Sequence, residues 1–156
     1  MLKNSIDYCI LLIEFLFLRN LFMTKAKGYQ IARQASLKSD FHRCHTGAVA
    51  IYNNKILALG WNSERLSLMQ ARYNKLRGFD GYSNKSSIHA EMMVINKIKY
   101  LDIDFSQVRL FVWRGKDEPL ISKPCAACEK AIRDLGIKKV FYTGNNSYIE
   151  EVYNKF

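Results

Sequence analysis

The sequence predicts a single-domain α/β protein, and three observations carry that prediction. The chain has 156 residues, 49% of them hydrophobic, which is enough for one sizeable core. Short β-branched and aromatic runs, punctuated by Asn, Gly and Pro, are interleaved with longer stretches of helical apolar spacing. From about residue 88 the two patterns alternate regularly, which requires parallel strands with helices packed on the sheet. No internal repeat, low-complexity tract or interdomain linker interrupts them.

Each element has its own signal. Residues 25–38 place Ile31, Ala35 and Leu37 among polar residues, as a surface helix does. Thr46–Tyr52 (TGAVAIY) and Lys55–Trp61 (KILALGW) flank Asn53-Asn54, and Asn tolerates the positive φ of a tight turn, so this stretch reads as a β-hairpin. Leu66–Arg77 has the length of a short helix, and Gly78–Ser87 the Gly, Ser and Asn content of a loop. Ile88–Leu101 spaces Met92, Val94, Ile95 and Ile98 for a buried helix, and Val108–Trp113 is a strand. Pro124 is preorganised for a first helical turn, so the next helix is placed at Cys125–Leu135, with Gly136 as its stop. Lys138–Thr143 reads as a fourth strand and Tyr148–Phe156 as a closing helix.

Residues 1–22 stand apart as an apolar N-terminal extension. Tyr8–Leu18 (YCILLIEFLFL) is too short to span a bilayer, which needs about 20 apolar residues. No small-residue cleavage site follows it. The segment reads as an extra helix, or as untranslated sequence ahead of Met23, and residues 23–156 form the domain proper. The extension is electrically neutral, so the whole net charge of +10 belongs to the domain. With a pI near 9.5, that charge fits nucleic acid or nucleotide phosphates as partners, and equally a solvated basic surface.

The cysteines exclude a secreted disulfide scaffold. There are four, and only Cys125 and Cys128 form a C-x-x-C, as expected of an intracellular, cytoplasmic protein with one thiolate site. Cys44 lies between His42 and His45, which raises a second metal cluster as an alternative.

Two motifs carry chemistry: His89-Ala90-Glu91 and Pro124-Cys125-Ala126-Ala127-Cys128, each at a predicted helix start. Cysteines at i and i+3 share a helix face, and a helix N-terminus favours thiolate over thiol. His89 offers a third ligand. Two sulfurs and one nitrogen leave a tetrahedral zinc one open position for water, whose pKa the metal lowers to about 7. Glu91 sits about 200° around a regular helix from His89, so it is placed as a general acid–base group rather than as a ligand. Taken alone, C-x-x-C also suits a redox dithiol or half of a structural zinc site. A redox motif belongs directly after the first strand of a βαβ unit, and a structural site needs two more paired cysteines; neither condition holds here.

H-x-E followed by P-C-x-x-C resembles the signature of the zinc-dependent cytidine and deoxycytidylate deaminase superfamily, which includes the tRNA adenosine deaminases. The resemblance extends over residues 25–143, through TGAVAI and Gly60-Trp61-Asn62. It implies a cytidine deaminase-like three-layer α/β/α sandwich with a mixed sheet of five strands, of which the pattern shows four. It implies Zn2+ held by His89, Cys125 and Cys128, with Glu91 as the proton shuttle. It further implies that Asn62 contacts the substrate sugar and the main chain of Ala90 the base, and that the protein is a homo-oligomer.

The reaction implied is hydrolytic loss of ammonia from a cytosine nucleotide or nucleoside, giving the uracil form. Two alternatives stand beside it. One is deamination of cytosine or adenine within tRNA or single-stranded nucleic acid, favoured by the charge and by Trp61-Asn62. The other is a non-catalytic, zinc-stabilised nucleic-acid-binding module, which an intact Glu91 disfavours. Between residues 62 and 87 the chain carries an excess of three positive charges, interleaved with Tyr73, Phe79 and Tyr82, and this segment is where substrate choice is expected to be made.

Overall fold

The computed structural model of the protein describes residues 22–78 and 87–154. The N-terminal extension, apart from Phe22, lies outside the described residues, as does most of the loop expected at 78–87.

Within these bounds the chain forms α1 (Lys25–Ser36), β1 (Thr46–Tyr52), β2 (Lys55–Trp61), α2 (Leu68–Asn74), α3 (Ala90–Ile98), β3 (Arg109–Arg114), α4 (Ala126–Leu135), β4 (Lys139–Gly144) and β5 (Ser147–Val152). A 3-10 turn, Lys75–Arg77, extends α2. The strands make one five-stranded mixed sheet in the order β2-β1-β3-β4-β5. Only β3 and β4, joined through α4, run parallel; every other neighbouring pair is antiparallel.

The sheet is covered on both faces, as its central strands require. Along β1, Ala48 and Ala50 point to one face and Val49 and Ile51 to the other, and all four are fully buried. Val49 and Ile51 join Phe111, Trp113 and Phe141 against Tyr29 and Ala32 of α1. Ala48 and Ala50 join Leu110, Val112 and Val140 against Met92, Val94 and Ile95 of α3 and Ala131 and Ile132 of α4. The result is the expected three-layer α/β/α sandwich.

The fifth strand occupies the place where a closing helix was expected. Gly144 pairs with Ser147, leaving Asn145-Asn146 as a two-residue turn in which Asn146 holds φ at +54°. This is the same Asn-Asn device that turns β1 into β2, where Asn53 and Asn54 both lie in the left-handed region. The apolar spacing of Ile149, Val152 and Tyr153 imitates a helix, but pairing with β4 satisfies the backbone instead.

The helical stretch read as Ile88–Leu101 also begins later and ends earlier than expected. Ile88 is extended, its N–H donating to Arg65 O and its carbonyl accepting from Ser63 N–H. Helix α3 then packs very closely on the sheet. A Cβ at Gly60 would stand 2.2 Å from the carbonyl oxygen of Ala90, so only glycine at the end of β2 admits the start of α3. Gly60→Ala should therefore cost at least about 2 kcal/mol of unfolding free energy. Urea denaturation would measure it, and an unchanged midpoint would refute this account of the α3 contact.

Candidate metal centre and active site

The sequence brings its chemistry to one edge of the sheet because two helices start there. Helix α3 follows the carboxyl end of β2, and α4 follows that of β3, the end at which α/β sheets characteristically hold ligands. His89 and Cys125 are not helical residues. Each is an N-cap with extended backbone, His89 at φ −82°, ψ 155° and Cys125 at φ −70°, ψ 164°. The 100° per residue of a regular helix therefore does not separate His89 from Glu91. Glu91, in the first turn of α3, lines the same cavity as His89 and Cys125.

Three candidate ligands converge. His89 Nδ1 lies 3.5 Å from Cys125 Sγ and 3.4 Å from Cys128 Sγ, and all three atoms fall within 4.8 Å of one another. A tetrahedral zinc with Zn–S of about 2.3 Å and Zn–N of about 2.0–2.1 Å sets sulfur and nitrogen about 3.6 Å apart. The observed edges match, so the donor set fits zinc in both chemistry and size. Among the described residues no other His, Cys, Asp and Glu side chains form such a group. His42 pairs instead with exposed Glu64 at 2.8 Å, and His45 turns to the carbonyl of Ser36. The second cluster considered around Cys44 is thus not formed.

The electrostatics suit a metal-binding thiolate site. The hydrogen bond from Cys128 holds the Cys125 thiol well below its ordinary range against the opposing effect of burial, and His89 adds to the lowering. Cys128, giving that hydrogen bond and fully buried, is pushed up in turn. Burial lowers His89, but the hydrogen bond with Cys125 and the negative charges of Glu91 and Cys125 outweigh it, and the net direction is up. Glu91 is only 5% exposed, and desolvation raises its carboxyl above the usual range, partly offset by His89. A buried carboxyl made easier to protonate is suited to taking up a proton and giving it back.

The supports of the ligands are buried hydrogen bonds. The segment leading to Pro124-Cys125 is tied to the sheet by Ser122, whose hydroxyl donates to Val112 O at 3.0 Å and accepts from Thr143 N–H at 2.8 Å. Asn62 lines the cavity, as does Ala90. The Asn62 amide is largely engaged within the protein: Oδ1 accepts from Thr46 N–H and the Ser39 hydroxyl, both at 2.7 Å, and Nδ2 donates to Cys44 O at 2.8 Å. It thereby holds the 39–46 segment against the end of β2.

The cavity over Glu91 has a volume of about 320 Å³. Its wall includes residues to which the motifs did not point: Phe41, Ile121 and three cations, Arg77, Arg114 and Lys123. Arg114 ends β3, and Lys123 also reaches Glu151 at 3.4 Å. The basic 62–87 segment pointed towards Arg77 and Lys123 adjoins Pro124, but sequence spacing holds no signal for Phe41, Arg114 or Ile121, which come from separate segments.

Residues 22–144 match the family model described as the cytidine and deoxycytidylate deaminase zinc-binding region. The chain belongs to that family. It is a deaminase-family enzyme whose domain binds zinc. Solved structures agree on the fold. Cytidine deaminase from Burkholderia pseudomallei aligns with a TM-score of 0.60 at 18% identity, over 83% of this chain and 93% of that one. The dCMP deaminase of cyanophage S-TIM5, in its apo form, aligns with a TM-score of 0.53 at 26% identity, over 76% of this chain and 82% of that one. A point mutant of cytidine deaminase from Mycobacterium tuberculosis aligns with a TM-score of 0.50 at 16% identity, over 80% of this chain and 92% of that one. No curated protein sequence matches the chain.

If His89, Cys125 and Cys128 are the ligands, His89→Ala and Cys125→Ala should each bring bound zinc from about one ion per chain to near none. Metal analysis of the purified variants reads this directly. Retention of zinc by both would remove these residues from the ligand set.

Proposed function

We propose that the protein is a zinc-dependent hydrolytic deaminase of a free cytosine nucleotide, giving the uracil nucleotide and ammonia. The observation that carries this reading is the buried Glu91 carboxyl, set in one small cavity with His89 and Cys125. A purely structural zinc site has no use for a buried acid there, which counts against the non-catalytic module.

Zinc, when bound, supplies a water acidic enough to react at neutral pH. The chain's own residues do the rest. Glu91 would take one proton from the attacking water and pass it to the ring nitrogen beside the attacked carbon, then carry the second, from the new hydroxyl, to the amine, which leaves as ammonia. One water is consumed and one ammonia leaves, so atoms balance without an oxidant or reductant. Ala90 and Asn62 both line the cavity, which supports the proposed contact of the Ala90 main chain with the base and of Asn62 with the sugar. The cavity volume lies at the small end of ligand pockets, which suits a mononucleotide.

The rim favours a phosphorylated substrate over a nucleoside. Arg77, Arg114 and Lys123 all line the cavity, and guanidinium and ammonium groups pair strongly with phosphate. The likeness to a dCMP deaminase is consistent with this. We assign residues 23–156 to the deaminase domain. A cytoplasmic setting accords with a reaction on free nucleotides, and no helix among the described residues is long and apolar enough to cross a membrane.

A second reading, deamination within a nucleic-acid strand, draws on a larger groove of about 910 Å³ between α2 and α3. Arg65, Arg72, Lys97 and Lys99 line it, and Lys38 and Lys97 stand 5.3 and 5.1 Å from the Trp61 ring centre. Ile88 borders both this groove and the smaller cavity, so a polyanion could lie along one and insert a base into the other. A second copy of the chain is the competing occupant, since exposed Leu66 and Leu68 edge the groove. Light scattering of the purified protein tests for the homo-oligomer.

Side-by-side assays of deoxycytidine and cytidine monophosphates, cytidine, single-stranded DNA and tRNA decide among these readings. Ammonia release fastest from the monophosphates, slower from cytidine and undetectable from the polymers is expected; release confined to polymers would overturn the free-nucleotide reading. Glu91→Ala should abolish turnover with zinc retained, and a near wild-type rate would refute its role. Arg114→Ala should raise KM for the monophosphate about tenfold or more while leaving turnover of the unphosphorylated nucleoside within about twofold. Equal effects on both substrates would remove Arg114 from phosphate recognition.

A further inference from the structure

Between β2 and α3 the chain makes a detour whose purpose neither motif explains. Its ordered core is α2, capped at its N-terminus by Ser67, whose hydroxyl accepts from Gln70 N–H at 3.2 Å. Gln70 is the unusual residue in it. A glutamine on a short surface-layer helix would ordinarily be solvated, yet this one is fully buried.

The buried amide is satisfied at both ends. Its Oε1 accepts from the backbone N–H of His89 at 3.1 Å, and its Nε2 donates to Asn74 Oδ1 at 2.9 Å. The orientation is forced, because the His89 N–H can only donate and so must face the oxygen. His89 is the N-cap of α3, so its N–H is one of the first groups that the helix cannot pair. On the far side, Asn74 Oδ1 also accepts from Arg77 at 3.4 Å, and Arg77 lines the cavity.

Helix α2 is braced against the other ligand-bearing helix as well. Tyr73 donates its hydroxyl hydrogen to Asp134 Oδ2 of α4 at 3.0 Å. One face of α2 thus holds α4, which starts with the two cysteines, and a second contact holds the residue that supplies the imidazole. The separation between His89 Nδ1 and the two sulfurs depends on how these helices sit relative to each other.

We infer that Gln70 is a positioning residue for the metal centre: it takes the His89 backbone N–H and, through α2 and Asp134, sets the distance of the imidazole from Cys125 and Cys128. The inference rests on the reading of His89, Cys125 and Cys128 as metal ligands. It assigns the detour a function, that of a crosspiece between two ligand-bearing helices, and assigns Gln70 a role separate from substrate contact. A glutamine that merely satisfied its own burial would affect stability but not the metal.

The test compares two variants that lose the same Gln70–Asn74 hydrogen bond. Gln70→Met also loses the tie to His89; Asn74→Leu keeps it. Each is purified as the full chain, loaded with Co2+ for its visible absorption bands, and titrated with zinc against a chromophoric chelator. For Gln70→Met, shifted cobalt bands and a zinc dissociation constant raised about 10- to 100-fold are expected, the range usual for loss of a group that orients a ligand. For Asn74→Leu, bands and affinity within about twofold of wild type are expected. Gln70→Glu, which keeps an acceptor of the same reach, should recover most of the zinc affinity. Equal metal affinity in all three, with only the melting temperature lowered, would overturn the inference. Failure of the wild-type chain to bind either metal would overturn the ligand reading instead, so the two failures are distinguishable. Should Gln70→Met not fold, the metal-free wild-type chain still decides: the His89 amide should exchange with deuterium as slowly as interior α3 amides, and fast exchange would sink the proposal.

Discussion

Everything in the active site depends on two helices beginning at the same sheet edge with their N-cap residues extended. A helix start leaves N–H groups unpaired and carries the positive end of the helix dipole. It also frees the cap residue from helical geometry, so its side chain can turn across the gap. His89 and Cys125 occupy these caps, and Cys128 lies within the first turn of α4. Had His89 been helical, Glu91 would point away from it. Because it is not, His89 and Glu91 share one cavity.

This arrangement requires close packing and polar bracing together. Gly60 lets the first turn of α3 sit against β2 at a separation that no side chain would permit. Elsewhere along the sheet stand buried hydroxyls and amides, each with its partners: Ser122 and Thr143 beside the cysteine segment, and Asn62 with Ser39 and Cys44 beside β1. Buried polar groups are costly unless paired, so each such knot fixes a loop where apolar packing alone would leave several alternatives. Loops thereby acquire the precision that a metal site needs.

The charge of the domain gains a more specific meaning from its placement. Net charge bears on solubility and steering but not on fold. Its concentration in two places is more informative: at the mouth of the small cavity, and along the groove beside Trp61. Ile88 lines both surfaces, so the two basic regions are neighbours on the molecule.

Local chemistry made much of the molecule legible from its residues. Asn53-Asn54 announced the first hairpin, Gly136 ended α4 in the left-handed conformation at φ +94°, and H-x-E with P-C-x-x-C named the candidate ligands, because turns, caps and metal spacing are properties of a few adjacent residues. Long-range pairing was not legible. The strand β5 carries apolar residues at helical spacing and is exposed along most of its length, so its extended form is selected by pairing with the distant β4 and by contacts such as Tyr29 to the Ile149 carbonyl. The same holds for Gln70, Arg77, Arg114 and Lys123. Arg77 lies in the basic 62–87 segment and Lys123 adjoins P-C-x-x-C, but nothing adjacent marks out Gln70 or Arg114, and the four meet only because segments far apart in the chain come to one edge. Chemistry within a few residues is written locally, whereas the hydrogen bonds and charges that position it depend on neighbours that only folding supplies.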